Sequence, residues 1–166
     1  MTSNMTFDLP MQVPPVTTGT IDIDNYPILR NFDNLWSKIE QDNYLESGRN
    51  YYNHIATWYG PVNYRYTGIE HIAQDMPTEF TEIARDLEIE NLIAQPDGYY
   101  NGLLINSFRN KGIGAHADDE PIFRCSDGTI GAVATISLGG TAYITISRND
   151  RSEPTWSFET TNGDFY

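Results

Sequence analysis

The chain predicts an α+β domain, with N-terminal helices leading into an antiparallel β-sandwich or jelly-roll core. Three observations carry this expectation. Two stretches place apolar residues at helical spacing: Phe32, Leu35, Trp36 and Ile39, then Phe80, Ile83, Ala84 and Leu87. After residue 100 the pattern changes to short runs of period two, such as Ala142, Ile144 and Ile146 alternating with Thr141, Tyr143 and Thr145. Glycine pairs and Asn-Gly, at Gly139-Gly140 and Asn162-Gly163, punctuate those runs as turns.

Taken in order, residues 1–24 hold Pro10, Pro14, Pro15 and Thr17-Thr18-Gly19-Thr20 and read as an extended or disordered leader. The domain is expected over 25–166. A first helix is predicted near 31–42, with Trp36 in its buried stripe. The aromatic run Tyr51–Tyr59 reads as a strand. A second helix is predicted over 77–89, running on toward Ala94, with Pro77 suited to its first turn. Leu103–Phe108 is a strand with the apolar run Leu103-Leu104-Ile105. Ala132–Leu138 and Thr141–Ser147 are expected to form a hairpin about Gly139-Gly140. Trp156 and Phe158 alternate in a further strand. After the Asn162-Gly163 turn, Asp164-Phe165-Tyr166 reads as the start of another, so the last strands of the domain are expected beyond Tyr166.

Composition narrows the function. A length of 166 residues suits one domain, and such a chain buries on the order of 70% of its unfolded surface. Ten basic against 23 acidic residues give a net charge of −13, which excludes a broad basic face for gripping phosphates. A small local groove and aromatic stacking still allow single-strand binding, and the chain carries 11 Tyr, 7 Phe and 3 Trp. Cys125 is the only cysteine, so no intrachain disulfide forms and its role is read as structural. No signal peptide and no apolar run near the ~20 residues of a spanning helix is present. The expectation is a cytoplasmic protein without a membrane partner.

The residues that carry chemistry lie in Gly114-Ala115-His116-Ala117-Asp118-Asp119-Glu120, with His116 ten residues past Asn106. In an extended chain, side chains at i and i+2 leave the same face, so one imidazole nitrogen and one carboxylate oxygen reach a common metal ion. Iron(II) oxygenases use two histidines and one carboxylate in this way, leaving positions open for substrate and oxygen. The competing reading is a surface-loop histidine beside a solvated acidic run. The other histidines, His54 and His71, are both upstream and are read as surface or hydrogen-bonded groups rather than ligands. Arg109, Lys111 and Arg124 flank the motif, as phosphate contacts or as balance for nearby acids.

Five segments in order resemble the AlkB-like dioxygenases, which depend on iron(II) and 2-oxoglutarate. They are Trp58-Tyr59-Gly60 with Tyr64-x-Tyr66-Thr67-Gly68, Tyr100–Phe108, His116–Glu120, Ala134–Gly139 and Asn162-Gly163-Asp164, spanning about two-thirds of the chain. The resemblance implies a double-stranded β-helix (jelly-roll) core. It implies that His116 and Asp118 bind iron and that Asn106 contacts 2-oxoglutarate. At Phe108 the family usually has a tyrosine that also bonds the cosubstrate, so that bond is absent here. Tyr64 and Tyr66 would stack on the flipped base or line its approach, with ordinary sheet packing as the alternative. Asp119 and Glu120 would approach the target base, or else only keep a loop soluble. The implied activity is oxidative demethylation of nucleic-acid bases, with single-stranded RNA or DNA as partner. The family's distal histidine and cosubstrate arginine have no counterpart here. The expectation is a C-terminally truncated copy, with both residues after Tyr166 and flanking domains of a longer polyprotein. The rival readings are a non-enzymatic binding module of such a polyprotein and a cupin-like small-molecule oxygenase.

Overall fold

The computed structural model describes residues 16, 18–31, 34, 35, 37, 38, 54–66, 69–91, 100–108, 112–147 and 155–166. Its strands are β1 (Gly19–Thr20), β2 (His54–Tyr59), β3 (Tyr64–Tyr66), β4 (Ile69–His71), β5 (Leu103–Phe108), β6 (Ala142–Ile146), β7 (Trp156–Thr160) and β8 (Asp164–Phe165). Helix α1 covers Pro27–Arg30 and α2 covers Thr78–Asn91, with single 3-10 turns at Ile23–Asn25 and Pro121–Phe123. The pairings are antiparallel: β1 with β8, β2 with β5, β3 with β4 and β6 with β7. Among the described residues these pairings stay separate two-stranded ladders.

The β2–β5 ribbon organises the molecule because its two faces do different things. Directly opposed residues share a face, and the register sets Tyr59 against Leu103, Trp58 against Leu104 and Ala56 against Asn106. One face, with Tyr59, Leu103 and Ile105, joins a core of Ile21, Leu29, Leu35, Phe80, Ile83 and Phe165. Helix α2 supplies Phe80 and Ile83, three residues apart and so on one side of the helix. Tyr59 and Phe80 meet with ring centroids 6.0 Å apart. Burying each such side chain contributes about 1.5–3 kcal/mol. The opposite face carries Trp58, Leu104, Asn106 and Phe108.

Trp58 is buried on that second face because two glycines make room for it. A Cβ at Gly60 would fall 2.4 Å from the indole Cζ2, and one at Gly102 would fall 2.4 Å from its Cη2. The indole Nε1 donates to the Val62 carbonyl at 2.8 Å, which holds the turn into β3.

The second half of the chain departs from the expected hairpin. Residues on the two sides of Gly139-Gly140 pair elsewhere. Thr135 and Tyr166 exchange backbone bonds at 2.9 and 3.1 Å, and Ser137 bonds Asp164 and Gly163, so 135–137 lies along β8. β6 pairs instead with β7 across the longer connection. The glycine pair still turns the chain, with Gly139 at φ 87°, but the alternation rule cannot say which strand a run will choose. β8 wins because Asn162-Gly163 folds it back: Asp164 N–H donates to Thr161 O at 3.1 Å and Gly163 sits at φ 92°. Asn162 Oδ1 accepts from Gly139 N–H at 2.9 Å, tying the two turns together.

Helix α2 starts one residue after Pro77, whose carbonyl accepts from Phe80 and Thr81 N–H, and runs to Asn91 rather than 89. Asn34, Leu35, Ser37 and Lys38 are helical, as expected near 31–42, with Leu35 buried; Trp36 lies outside the described residues. Of the expected leader, residues 1–15 and 17 also lie outside them. From 18 onward it is part of the packing: β1 pairs with β8 and Ile21 is buried in the core. The expectation missed this because Ile21 and Ile23 alternate over only three residues, too short a signal beside three prolines.

Candidate metal centre

The segment 112–120 has no regular structure and carries His116 and Asp118 on its surface, their side chains 32% and 40% exposed. His116 Nε2 lies 3.5 Å from Asp118 Oδ1. The other ring nitrogen, Nδ1, lies 2.8 Å from the Gly114 carbonyl oxygen. A carbonyl only accepts, so Nδ1 carries the proton. That leaves Nε2 facing a carboxylate, two electron-rich atoms that need a cation or a hydrogen-bond donor between them. A second ring proton, a water donating to both atoms or a metal ion would meet that need. As a partly exposed ion pair the contact contributes about 0–1 kcal/mol, too little to explain why an irregular loop holds it.

The donor set fits a metal. Metal-bound histidines commonly donate the remote N–H to a carbonyl, which is the arrangement here. With metal–ligand bonds of about 2.1 Å, donors at this separation subtend about 110°, and closing by about 0.5 Å reaches a right angle. The pair supplies two ligands. Among the described residues no cluster of three or more His, Cys, Asp or Glu forms. His71, read as a non-ligand, packs elsewhere: its ring stacks on Tyr64 with centroids 5.9 Å apart.

One aromatic ring meets the pair, and others pack behind it. Tyr66 meets the His116 imidazole edge-on, centroids 6.2 Å apart and planes at 63°. Tyr64 touches Trp58 at 5.2 Å, Tyr66 at 6.2 Å and Phe123 at 5.8 Å. The Tyr64 hydroxyl is held far above its ordinary pKa, first by burial, then by the negative charges of Glu120 and Asp118. The β3 ring is thus within electrostatic reach of the motif carboxylates. On another side, burial and then the Asp118 charge push the Tyr166 phenol up, against a hydrogen bond with Thr135 that pulls it down. Tyr166 also meets Phe158 of β7 at 5.4 Å.

The expected site residues divide into three groups. His116, Asp118, Glu120, Tyr64 and Tyr66 come together. Asn106 and Phe108 are both exposed at the end of β5, on the face that carries Trp58. Asp119 is exposed on the loop. For Tyr64 the structure fits the packing alternative: it is only 3% exposed, and Tyr66 and His71 stack on it. A ring so covered supports its neighbours, while Tyr66 is only half-buried. Glu120 holds an acceptor in reserve, since its Oε2 is buried without a hydrogen-bond partner. Such an atom calls for a donor.

Reasoning from sequence missed Phe123 and Tyr166. Phe123 ends the 3-10 turn that follows the motif, and residues 123–131 fold back on themselves through the Arg124–Ile130 bridge. Ser126-Asp127-Gly128 was the signal for that turn: Asp127 Oδ1 accepts from Thr129 N–H at 2.9 Å and Gly128 takes φ 84°. Tyr166 could have been placed by alternation, since Phe165 faces the core.

Family models, curated proteins and solved structures contain no match to this chain. The functional reading rests on its motifs and on the geometry above. Among the described residues no helix is long and apolar enough to cross a membrane.

Proposed function

We propose that the protein is an AlkB-like dioxygenase, built on a double-stranded β-helix, that demethylates nucleic-acid bases using iron(II) and 2-oxoglutarate. The observation that carries this reading is the His116–Asp118 pair, 3.5 Å apart, with Nδ1 tied to Gly114 O. His116 Nε2 and an Asp118 carboxylate oxygen would hold iron(II). Bound iron with 2-oxoglutarate supplies the oxidising power to hydroxylate an N-methyl carbon, releasing formaldehyde.

This chain's own residues do the positioning. The Gly114 carbonyl keeps the proton on Nδ1 and the Nε2 lone pair free for the metal. Asn106 offers a side-chain amide to the cosubstrate carboxylate, while Phe108, which has no donor, only packs. Tyr66 presents a ring to an unstacked base beside the imidazole. Asp119 and Glu120 accept hydrogen bonds from an exocyclic amino group. With a net charge of −13, affinity depends on stacking more than on phosphate contacts, which favours single strands.

The test supplies the full-length polypeptide with iron(II), 2-oxoglutarate and a methylated single-stranded oligonucleotide, and measures formaldehyde. His116→Ala and Asp118→Ala are expected to abolish release. Full activity in both variants refutes the site. No release from the wild type, with metal binding absent, supports the binding-module reading instead, and turnover of small acids alone supports the cupin-like one.

A further inference from the structure

Among the described contacts, the His116 ring has two anchors that are local in sequence, Gly114 and Asp118, and one from another element, Tyr66. Local anchors move with their loop. They fix the ring relative to the loop but not relative to the fold. Tyr66 differs because its own position is set from the ribbon. It stacks on Tyr64, with planes 15° apart; Tyr64 rests on Trp58; and Trp58 is seated between Gly60 and Gly102. Three rings therefore connect a buried ribbon face to an exposed imidazole.

We infer that Tyr66 is a positioning residue, which orients the His116 imidazole from the β3–β4 hairpin and so preorganises the His116–Asp118 pair for a metal cation. The inference rests on the metal-centre reading and adds to it the residue that holds the ligand in place. An edge-to-face ring pair biases an equilibrium by about 2–10-fold beyond burial. That is enough to bias an exposed ring between rotamers, so a lost ring shows up as a lost orientation.

The experiment has two readouts on the full-length protein. The first needs no metal: the imidazole carbon-bound protons of the chain's three histidines are followed by NMR, with His116→Gln assigning the signal. Replacing Tyr66 by Leu removes a ring current and is expected to move the His116 resonances. Tyr66→Phe keeps the ring and is expected to leave them nearly in place. The second readout is the Kd for Ni(II) alone, by calorimetry. Tyr66→Leu is expected to weaken binding by about 3–10-fold and Tyr66→Phe by no more than about twofold, the scale of an edge-to-face ring contact. Circular dichroism confirms that both variants fold. If Tyr66→Leu leaves the resonances or the Kd as in the wild type, or if Tyr66→Phe is as damaging as Tyr66→Leu, the inference is overturned. If the wild type binds no Ni(II), the metal-centre reading falls and the inference with it, while the metal-free resonances still report whether the Tyr66 ring lies against the imidazole.

Discussion

Gly102→Ala isolates the packing on which the site-bearing face depends. The Cβ would sit 2.4 Å from Trp58 Cη2 and 3.1 Å from both Cζ2 and Cζ3. Carbon atoms pack at about 3.5–4.0 Å, so the indole must retreat by about 1 Å. It has little freedom to do so, being 4% exposed and bonded through Nε1 to Val62 O. Forcing extra volume into such a place costs about 1–3 kcal/mol, and losing the indole hydrogen bond adds about 0.5–1.5 kcal/mol. Replacing glycine restricts the unfolded chain and returns about 0.4–1 kcal/mol. The expected net loss is about 2 kcal/mol, close to a 30-fold change in the unfolding constant. Urea unfolding, followed by circular dichroism, measures it. The decisive comparison is the double variant with Trp58→Phe. The crowded atoms belong to the outer ring of the indole, which phenylalanine lacks, so the alanine should cost at least about 1 kcal/mol less in that background. If Gly102→Ala costs under about 0.5 kcal/mol, or if the two changes add, the reasoning from the ring contact is wrong.

The Tyr64 phenol gives a prediction at high pH. An unfolded tyrosine ionises near pH 10, and in the folded chain burial and then the Glu120 and Asp118 charges hold Tyr64 above that value. The folded state keeps a proton that the unfolded state gives up, so this contribution is intact below about pH 10 and fades as pH rises beyond it. Thermal midpoints measured from pH 8 to 11.5 should fall more steeply for the wild type than for Tyr64→Phe; parallel curves would count against the assigned surroundings. At the exposed end of β5, Phe108→Tyr restores a hydroxyl for the cosubstrate. A hydrogen bond to a charged group is worth about 1.5–3 kcal/mol, so calorimetry on the metal-loaded protein should show 2-oxoglutarate binding at least about tenfold tighter. Unchanged affinity would remove Phe108 from the cosubstrate site.

Period-two and helical patterns located elements well where burial is one-sided. Leu103–Phe108 is a strand with the expected bounds, and Phe80 and Ile83 face the core as their spacing implied. They could not choose partners. Nothing in 132–138 distinguishes pairing with the next run from pairing with β8, because the choice depends on where the Asn162-Gly163 turn sends the chain. The site divides in the same way. His116 and Asp118 are readable together because i and i+2 in extended backbone share a face, and their 3.5 Å separation agrees. The sequence left base stacking and sheet packing both open, and could not choose between them for Tyr64. Its burial comes from His71 across the β3–β4 ladder and from Phe123, well removed in sequence.

Those contacts bear on how an irregular loop can hold His116 and Asp118 together at all. Segment 112–120 has no ladder of backbone hydrogen bonds to fix it, so side chains must. One hold is at His116, against Tyr66; the other is just past the C-terminal end, where Phe123 packs edge-on against Tyr64. Both trace back to Tyr64, which touches Tyr66 and Phe123 and rests on Trp58. Asp118 lies between the two holds, with Tyr64 and Tyr166 both feeling its charge. Loss of the Tyr64 ring should therefore loosen both holds at once, and removal of Tyr66 or Phe123 only one. A buried ring then governs the geometry of two exposed side chains, and the glycines under Trp58 become part of how the His116–Asp118 pair is held although they lie on the far side of the aromatic stack from it.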